Sequence, residues 1–109
     1  MYKFKSPAAG DLIMLEPNGR HLLQIIGKAD SPLPHQGILL PEEMPSAIAA
    51  LEAAIVQDER HRAELIQKAK ENGEPAPRFE GISLKLRALP FIEMIRRCHK
   101  ADKEIVWGV

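Results

Sequence analysis

The sequence has little of several features on which many protein functions depend. It contains one cysteine, so no disulfide can form within the chain. Basic and acidic residues both number 15, and this balance leaves no net field that would attract nucleic acid or an acidic membrane. Apolar runs fall far short of the roughly 20 residues of a membrane-spanning helix, and no N-terminal stretch has the character of a signal peptide. We therefore expect a cytoplasmic protein.

The local motifs of common catalytic and cofactor sites are also missing. The sequence has no Gly-rich phosphate loop, no paired Cys-x-x-Cys, no His-Glu-x-x-His and no Gly-x-Ser-x-Gly. No residue is therefore assigned to catalysis, to a cofactor or to a metal. The absence of these motifs favours a protein that is not an enzyme.

The last quarter of the chain, residues 82–109, shows the clearest pattern. Seven residues recur at the spacing of one helical face. They are Leu84, Ala88, Phe91, Ile92, Ile95, Cys98 and His99. Ser83 is placed to act as the N-cap, so a helix is predicted over residues 83–102 with Pro90 inside it.

Three short segments have the character of strands. Residues 2–5 alternate aromatic and basic side chains, which is typical of a strand with one buried face. Residues 12–15 are an apolar run after turn residues, so a strand over residues 11–15 is predicted to pair with the first one as a hairpin. Residues 104–108 are β-branched and aromatic, and Ile105 and Trp107 would face the same side of a last strand.

The stretch from Pro17 to Gly27 supports two interpretations. Its start, Pro-Asn-Gly between apolar runs, is typical of a hairpin turn. Its apolar residues then recur at helical spacing, with a proline at the start and a glycine at the end, where helices favour them. We favour a helix over residues 17–26. After a loop, residues 37–40 are predicted to be briefly extended.

A second long helix is predicted over residues 45–71. Its apolar stripe consists of Met44, Ile48, Leu51 and Ile55. Charged residues from Asp58 to Arg62 interrupt this stripe, so the helix is predicted either to extend beyond the core there or to break. Residues 58–80 are charged and proline-rich, and we expect them to form an exposed segment of a single domain that spans residues 1–109.

Two clusters of reactive side chains have both a functional and a structural interpretation. Asp58, His61 and Arg62 share a helix face, which suits a metal half-site or a general base. A second such motif is missing, so a solvated charged turn is favoured. Cys98 and His99 are adjacent and diverge by about 100° around a helix. A buried thiol and an imidazole at the edge of the core are favoured over a metal site.

A basic stripe on the last predicted helix also has both a functional and a structural interpretation. It consists of Lys85, Arg96, Lys100 and Lys103. These side chains lie within about 60° of one another and could contact phosphates. No aromatic residues lie among them, so a solvated face is favoured and nucleic-acid binding is not expected.

Leu86 and Leu89 fall on the outer side of the last predicted helix, among its charged residues. The first turns of that helix are therefore apolar nearly all round, and a loop of this chain or a second copy must cover them. The tail with Trp107 and Val109 suits a closing strand or a docking peptide, and the strand is favoured. These four residues form the predicted interaction surface.

The leading functional hypothesis is a non-enzymatic protein that binds another protein, or a second copy of itself, through this surface. The alternative is a small-molecule binding protein or minor enzyme with a pocket between sheet and helices. There His21, His61 or His99 would act, and two of them converging in a deep cleft would favour this alternative. No cofactor and no membrane partner are expected.

Five segments resemble one known family. They are YKFKS at residues 2–6, DLIM at 11–14, LPEEMP at 40–45, RALPFIEM at 87–94 and IVW at 105–107. Together they resemble a small proteobacterial family catalogued as domain of unknown function 1840, over essentially the whole chain. The resemblance implies a compact cytoplasmic domain, favours the helix at Pro17, and implies no catalytic residues, because the family has no assigned activity.

We therefore predict an α+β fold. A small antiparallel sheet, made of the N-terminal hairpin and the C-terminal strand, packs on about three helices. The expected partner is a second copy or another protein.

Overall fold

A four-stranded sheet brings the two ends of the chain together. The computed structural model describes residues 1–29, 36–79 and 82–108. Its strands are β1 (Tyr2–Ser6), β2 (Ala9–Met14), β3 (Gly37–Leu39) and β4 (Ile105–Trp107). Their order across the sheet is β2-β1-β4-β3, and every neighbouring pair is antiparallel. In this part of the chain, β2 and β3 are the edge strands.

The predicted α+β fold, with its N-terminal hairpin and C-terminal strand, is confirmed. The prediction did not include β3 in the sheet. Residues 37–40 were expected to be extended but were not assigned to the sheet. In the structure Gly37–Leu39 form β3, which pairs with β4 on the side away from β1. Three residues are too few to show an alternating pattern, so no local pattern predicts this pairing.

One face of the sheet is apolar and is covered by the helices. Directly opposed residues of an antiparallel pair share a face. The buried face consists of Tyr2, Phe4, Leu39, Ile105 and Trp107. The ring of Phe4 lies 4.7 Å from that of Phe91 and 5.6 Å from the indole of Trp107, measured between ring centres. Lys3 and Ile13 form one opposed pair on the other face, where both are exposed.

The helix interpretation of the segment after β2 is confirmed. Helix α1 (Glu16–Ile25) carries Pro17 in its first turn, where a missing N–H is tolerated. Gly27, just after its end, has φ +79°, a conformation that glycine adopts at little cost. Leu22 and Leu23 are buried against the sheet and the other helices.

Helix α2 (Met44–Glu71) continues through the charged residues without a break. A short 3-10 turn, Pro41–Glu43, precedes it. Its first three turns are anchored in the core by Met44, Ala47, Leu51 and Ile55. Beyond residue 55, Ala69 alone is buried among the helix residues, and the molecule measures 52 × 26 × 23 Å. Of the two predicted alternatives, extension beyond the core is therefore the one observed.

Helix α3 (Leu84–Ala101) crosses the apolar face of the sheet, and its prediction is confirmed. Ser83 caps it, because its Oγ accepts a hydrogen bond from the N–H of Leu86 at 3.3 Å. Its buried residues are Leu84, Ala88, Phe91, Ile92, Met94, Ile95 and Cys98. His99, predicted at the edge of the core, is exposed. Cys98 faces the core in the last turn, so its neighbour about 100° away faces solvent.

Two ion pairs join α3 to α2 on the solvent side. Arg96 Nη2 lies 2.6 Å from Glu52 Oε1, and Lys85 Nζ lies 3.9 Å from Glu59 Oε1. Among the helices of the described residues, none has both the length and the apolar character to cross a bilayer.

Candidate interaction groove

A cluster of exposed apolar side chains lies beside the end of β2. Leu15, Ile82 and Leu86 are 61–62% exposed, and Ile13 is 55% exposed. Leu86 is exposed because it lies about 160° around α3 from Leu84, which faces the core. Leu15 and Ile82 lie just before α1 and α3, where the chain turns into each helix. Local structure thus places four apolar side chains in solvent.

Leu15, Ile82 and Leu86 are among the residues that line a groove between β2 and α3, and Ile13 borders it from a position whose side chain lies on the other face of the sheet. One part has a volume of about 310 Å³ and is lined by residues 12–15 and Asn18 on one side. Its other side is formed by Ile82, Leu86, Arg87 and Pro90. A second part, of about 260 Å³, follows residues 9–12 and is lined on α3 by Pro90, Glu93, Met94 and Arg97. Both parts include Leu12 and Pro90, so we treat them as one β2–α3 groove.

The edge of β2 provides backbone groups along this groove. Within the described residues β2 pairs with β1 alone. In an antiparallel sheet, alternate N–H and C=O groups of an edge strand point away from the neighbour and have no sheet partner. The groove therefore runs beside a row of unused donors and acceptors.

Pro90 interrupts the helical hydrogen-bond pattern on the helix side of the groove. It lies inside α3 and has no N–H, so it cannot donate to the carbonyl of Leu86 four residues earlier. Both residues line the groove.

Arg87 is the cationic residue in the 310 Å³ part of the groove. Its Nη1 donates to Asn18 Oδ1 at 3.4 Å and lies 3.3 Å from His21 Nδ1. Because a guanidinium can only donate, His21 Nδ1 must accept in this contact. Both contacts are long, and the Nε atom of Arg87 is buried without a hydrogen-bond partner. None of the ion pairs of the described residues includes Arg87.

The four residues of the predicted interaction surface lie in different environments. Leu86 lines the groove. Leu89 is also exposed, at 37%, but it lies about 60° around α3 from Leu86 and is not among the residues that line the groove. The indole of Trp107 is 1% exposed and belongs to the core, so it is not part of any exposed surface. Val109 lies outside the described residues.

The predicted interaction surface did not include Arg87 or Asn18. One signal was present: none of the residues three or four positions from Arg87 on α3 is acidic, so no intrahelical ion pair can form. The contacts with Asn18 and His21 span 69 and 66 residues of sequence. No local pattern predicts them.

The Asp58 cluster is part of the exposed half of α2. Asp58 Oδ2 accepts from Arg62 Nε at 3.1 Å, and the Arg62 guanidinium lies 4.6 Å from the centre of the Phe79 ring. His61 is exposed. Within residues 1–29, 36–79 and 82–108, no three His, Cys, Asp or Glu side chains are grouped as metal ligands would be.

The histidines do not support the alternative hypothesis. His21, His61 and His99 lie on three different helices, and the last two are exposed. None of them lines the β2–α3 groove. Cys98 is a free, buried cysteine.

Comparison with known proteins identifies a family. The model of the family described as Domain of unknown function (DUF1840) matches residues 1–107. No curated protein and no solved structure matches the chain.

Proposed function

The chain belongs to the family described as Domain of unknown function (DUF1840), and from that premise we propose that it is a non-enzymatic protein-interaction module. Its docking surface is the β2–α3 groove. The family brings no activity, so the proposal depends on the surface itself. The observation that supports it is the cluster of exposed apolar side chains at one groove, Leu15, Ile82 and Leu86.

These exposed apolar side chains lie together at one concave surface. Single exposed apolar residues are common on soluble proteins, but several around one concave surface are typical of interaction sites. Burying a Leu or Ile side chain completely is worth about 1.5–3 kcal/mol. A partner that covers these three residues would therefore gain a free energy comparable to that of a hot-spot cluster.

The partner in this proposal is a polypeptide, either a second copy of this chain or a different protein. The site of action in this proposal is the cytoplasm.

The test compares two variants that differ in position but not in chemistry. Leu86→Glu places a charge in the groove. Val56→Glu is the matched control, because Val56 is also an apolar helix residue with 54% exposure and lies on α2 outside the groove. Circular dichroism should show that both variants keep the wild-type fold.

Two measurements are made on the wild type and on both variants. Light scattering after size-exclusion chromatography detects self-association, and selection from a display library of random linear peptides detects binding of other polypeptides. The proposal expects a dimer or a set of bound peptides that Leu86→Glu abolishes and Val56→Glu keeps. A monomeric wild type that selects no peptides, or binding that survives Leu86→Glu, would overturn it.

A further inference from the structure

We infer that the protein forms a two-fold dimer in which β2 of one copy pairs antiparallel with β2 of a second copy. The two four-stranded sheets then form one eight-stranded sheet, and the two β2–α3 grooves cover each other. This inference rests on the proposed function and names its partner and the geometry of the contact. Three observations carry it: the unprotected edge of β2, the apolar residues on both faces beside that edge, and the short second edge at β3.

The two edge strands differ in how well they are protected. Edge strands that stay in solvent are usually short, or they carry lysine, proline or a bulge. β3 has three residues, and Pro41, which has no N–H, follows one residue after its end. β2 has six residues, AGDLIM, with no lysine and no proline among them. Since a long unprotected edge readily pairs with another strand, we expect β2 to be the edge that is covered.

The regular part of β2 determines the register of the contact. The pairing with β1 is uninterrupted from Leu12 to Met14, and the register shifts nearer the start of β2. The centre of this regular part is Ile13. A two-fold axis at that residue, perpendicular to the sheet, would place Ile13 opposite its own copy and Leu12 opposite Met14 of the second copy. All these opposed side chains are apolar, so the contact is self-complementary.

This register buries exposed apolar side chains on both faces of the sheet. On the face away from the helices, Ile13 is 55% exposed and would pack against its own copy. On the helix face, the axis lies beside the middle of the groove, because Leu12 and Pro90 belong to both of its parts. The two α3 helices would run antiparallel there, with Leu86 of each copy against Pro90 of the other. The centre of the interface is therefore apolar, as in stable protein–protein contacts.

The charged residues of the groove lie toward its ends. Arg87 lines one part, and Asp11, Glu93 and Arg97 line the other. Because the axis exchanges the two ends, the end with Arg87 would face the end of the second copy that contains both acidic residues. Asp11 and Glu93 are already paired with basic residues of their own chain. These charges at the rim would therefore orient the two copies and add little affinity.

Closure favours the contact of β2 with β2 over a contact of β2 with β3. A contact between unlike edges would leave one free β2 edge and one free β3 edge, so that further copies could add without limit. The contact between two β2 strands uses both long edges and leaves only the two short β3 edges in solvent. The sheet therefore stops growing at two copies.

The experiment links the two copies at the axis. Ile13→Cys places two thiols at directly opposed positions, where Cβ atoms lie about 5 Å apart and a small shift allows a disulfide. Ile38→Cys is the matched control, because Ile38 is the central residue of β3 and is also exposed, at 43%. The wild type controls for Cys98, which is buried. Circular dichroism should show that both variants keep the wild-type fold.

Two measurements are made. Sedimentation velocity of the wild type from about 1 μM to about 1 mM gives the dissociation constant, which we expect to be roughly micromolar because one strand and part of one helix form a small interface. The cysteine variants and the wild type are then oxidised briefly with copper phenanthroline, and non-reducing electrophoresis gives the rate at which linked dimer forms.

The inference expects Ile13→Cys to form linked dimer at least about tenfold faster than Ile38→Cys, because pairing raises the local concentration of its thiols. Adding Leu86→Glu to Ile13→Cys should slow linking by about tenfold, because the dimer would bury a charge against Pro90 of the second copy. A library peptide that docks in the groove should also slow linking, since it competes with the second copy for the same surface.

The outcomes separate this inference from the proposed function. Equal linking rates for Ile13→Cys and Ile38→Cys, or faster linking of Ile38→Cys, would overturn the inference. A protein that stays monomeric throughout the concentration range but binds peptides in a Leu86-dependent way would also overturn it and leave the proposed function intact. A protein with neither a dimer nor Leu86-dependent peptide binding would overturn both.

Discussion

Gly37 lies directly opposite Trp107 in the β3–β4 pair, and the indole occupies the space that a side chain at residue 37 would need. A Cβ on Gly37 would lie 2.4 Å from Cζ2 and 2.6 Å from Cε2 of Trp107. The indole is 1% exposed and packs edge-on against Phe4, so it has little room to move. Glycine at this position therefore allows β3 to join the sheet.

We expect Gly37→Ala to lower the free energy of unfolding by about 1–3 kcal/mol, the usual effect of overpacking a core. Urea unfolding followed by the fluorescence of the single tryptophan measures the change. Gly10→Ala is the control, because a Cβ on Gly10 would have nothing within 4 Å. Equal midpoints for Gly37→Ala and the wild type would contradict the packing described here.

The pair Lys28–Glu43 links the end of α1 to the turn before α2. Lys28 Nζ donates to Glu43 Oε2 at 2.6 Å, and the N–H of Leu40 donates to Glu43 Oε1 at 3.0 Å. The hydrogen bond from Lys28, then that from Leu40, lowers the pKa of Glu43 below its ordinary value of 4.5. The charged carboxylate therefore stabilises the folded state above the unfolded pKa, and this contribution is lost as the pH falls through the lowered pKa.

Glu43→Gln should therefore cost stability at neutral pH and little in acid. Because the pair is partly exposed, solvent screening limits the expected loss to about 0.5–1 kcal/mol. Urea unfolding of both proteins near neutral pH and well below pH 4.5 measures the difference. Glu42→Gln, at an exposed neighbour, is the control. A difference that stays constant down to strongly acid pH would contradict the assignment.

The two halves of α2 should differ in local stability. Met44 to Ile55 are anchored by four buried side chains, whereas residues 56–68 contribute none. Amide hydrogen exchange should therefore be slower in the first half, because opening it exposes core surface. Mass spectrometry of peptic fragments measures this difference. Uniform protection along α2 would mean that the outer half is held by contacts beyond those described.

Periodicity predicted the parts of the fold that depend on one face of one element. The stripe of α3, the alternation of β1 and the Ser83 cap each follow from neighbours in sequence. Trp107 was favoured as part of a closing strand but was also included in the predicted interaction surface. Its burial depends on sheet order: β4 lies between β1 and β3, and Trp107 packs against Phe4 on the apolar face of the sheet. Spacing along the chain carries no information on that order.

The groove was predictable only in part, for the same reason. The outward position of Leu86 follows from helical geometry. The groove itself requires β2 to be an edge strand beside α3, and these elements are some 70 residues apart in sequence. The unpaired state of Arg87 likewise depends on which residues of α1 come near it. Both the groove and the surroundings of Arg87 therefore depend on packing between elements that are distant in sequence.

The most direct test of the account is a footprint of a selected peptide on the labelled protein. Amide exchange and chemical shifts are recorded by NMR with and without the peptide. We predict shifts at Leu86 and Arg87 on α3 and at residues 12–15, as docking in the β2–α3 groove requires. Changes confined to β3, the other edge strand, or to the outer half of α2 would contradict it.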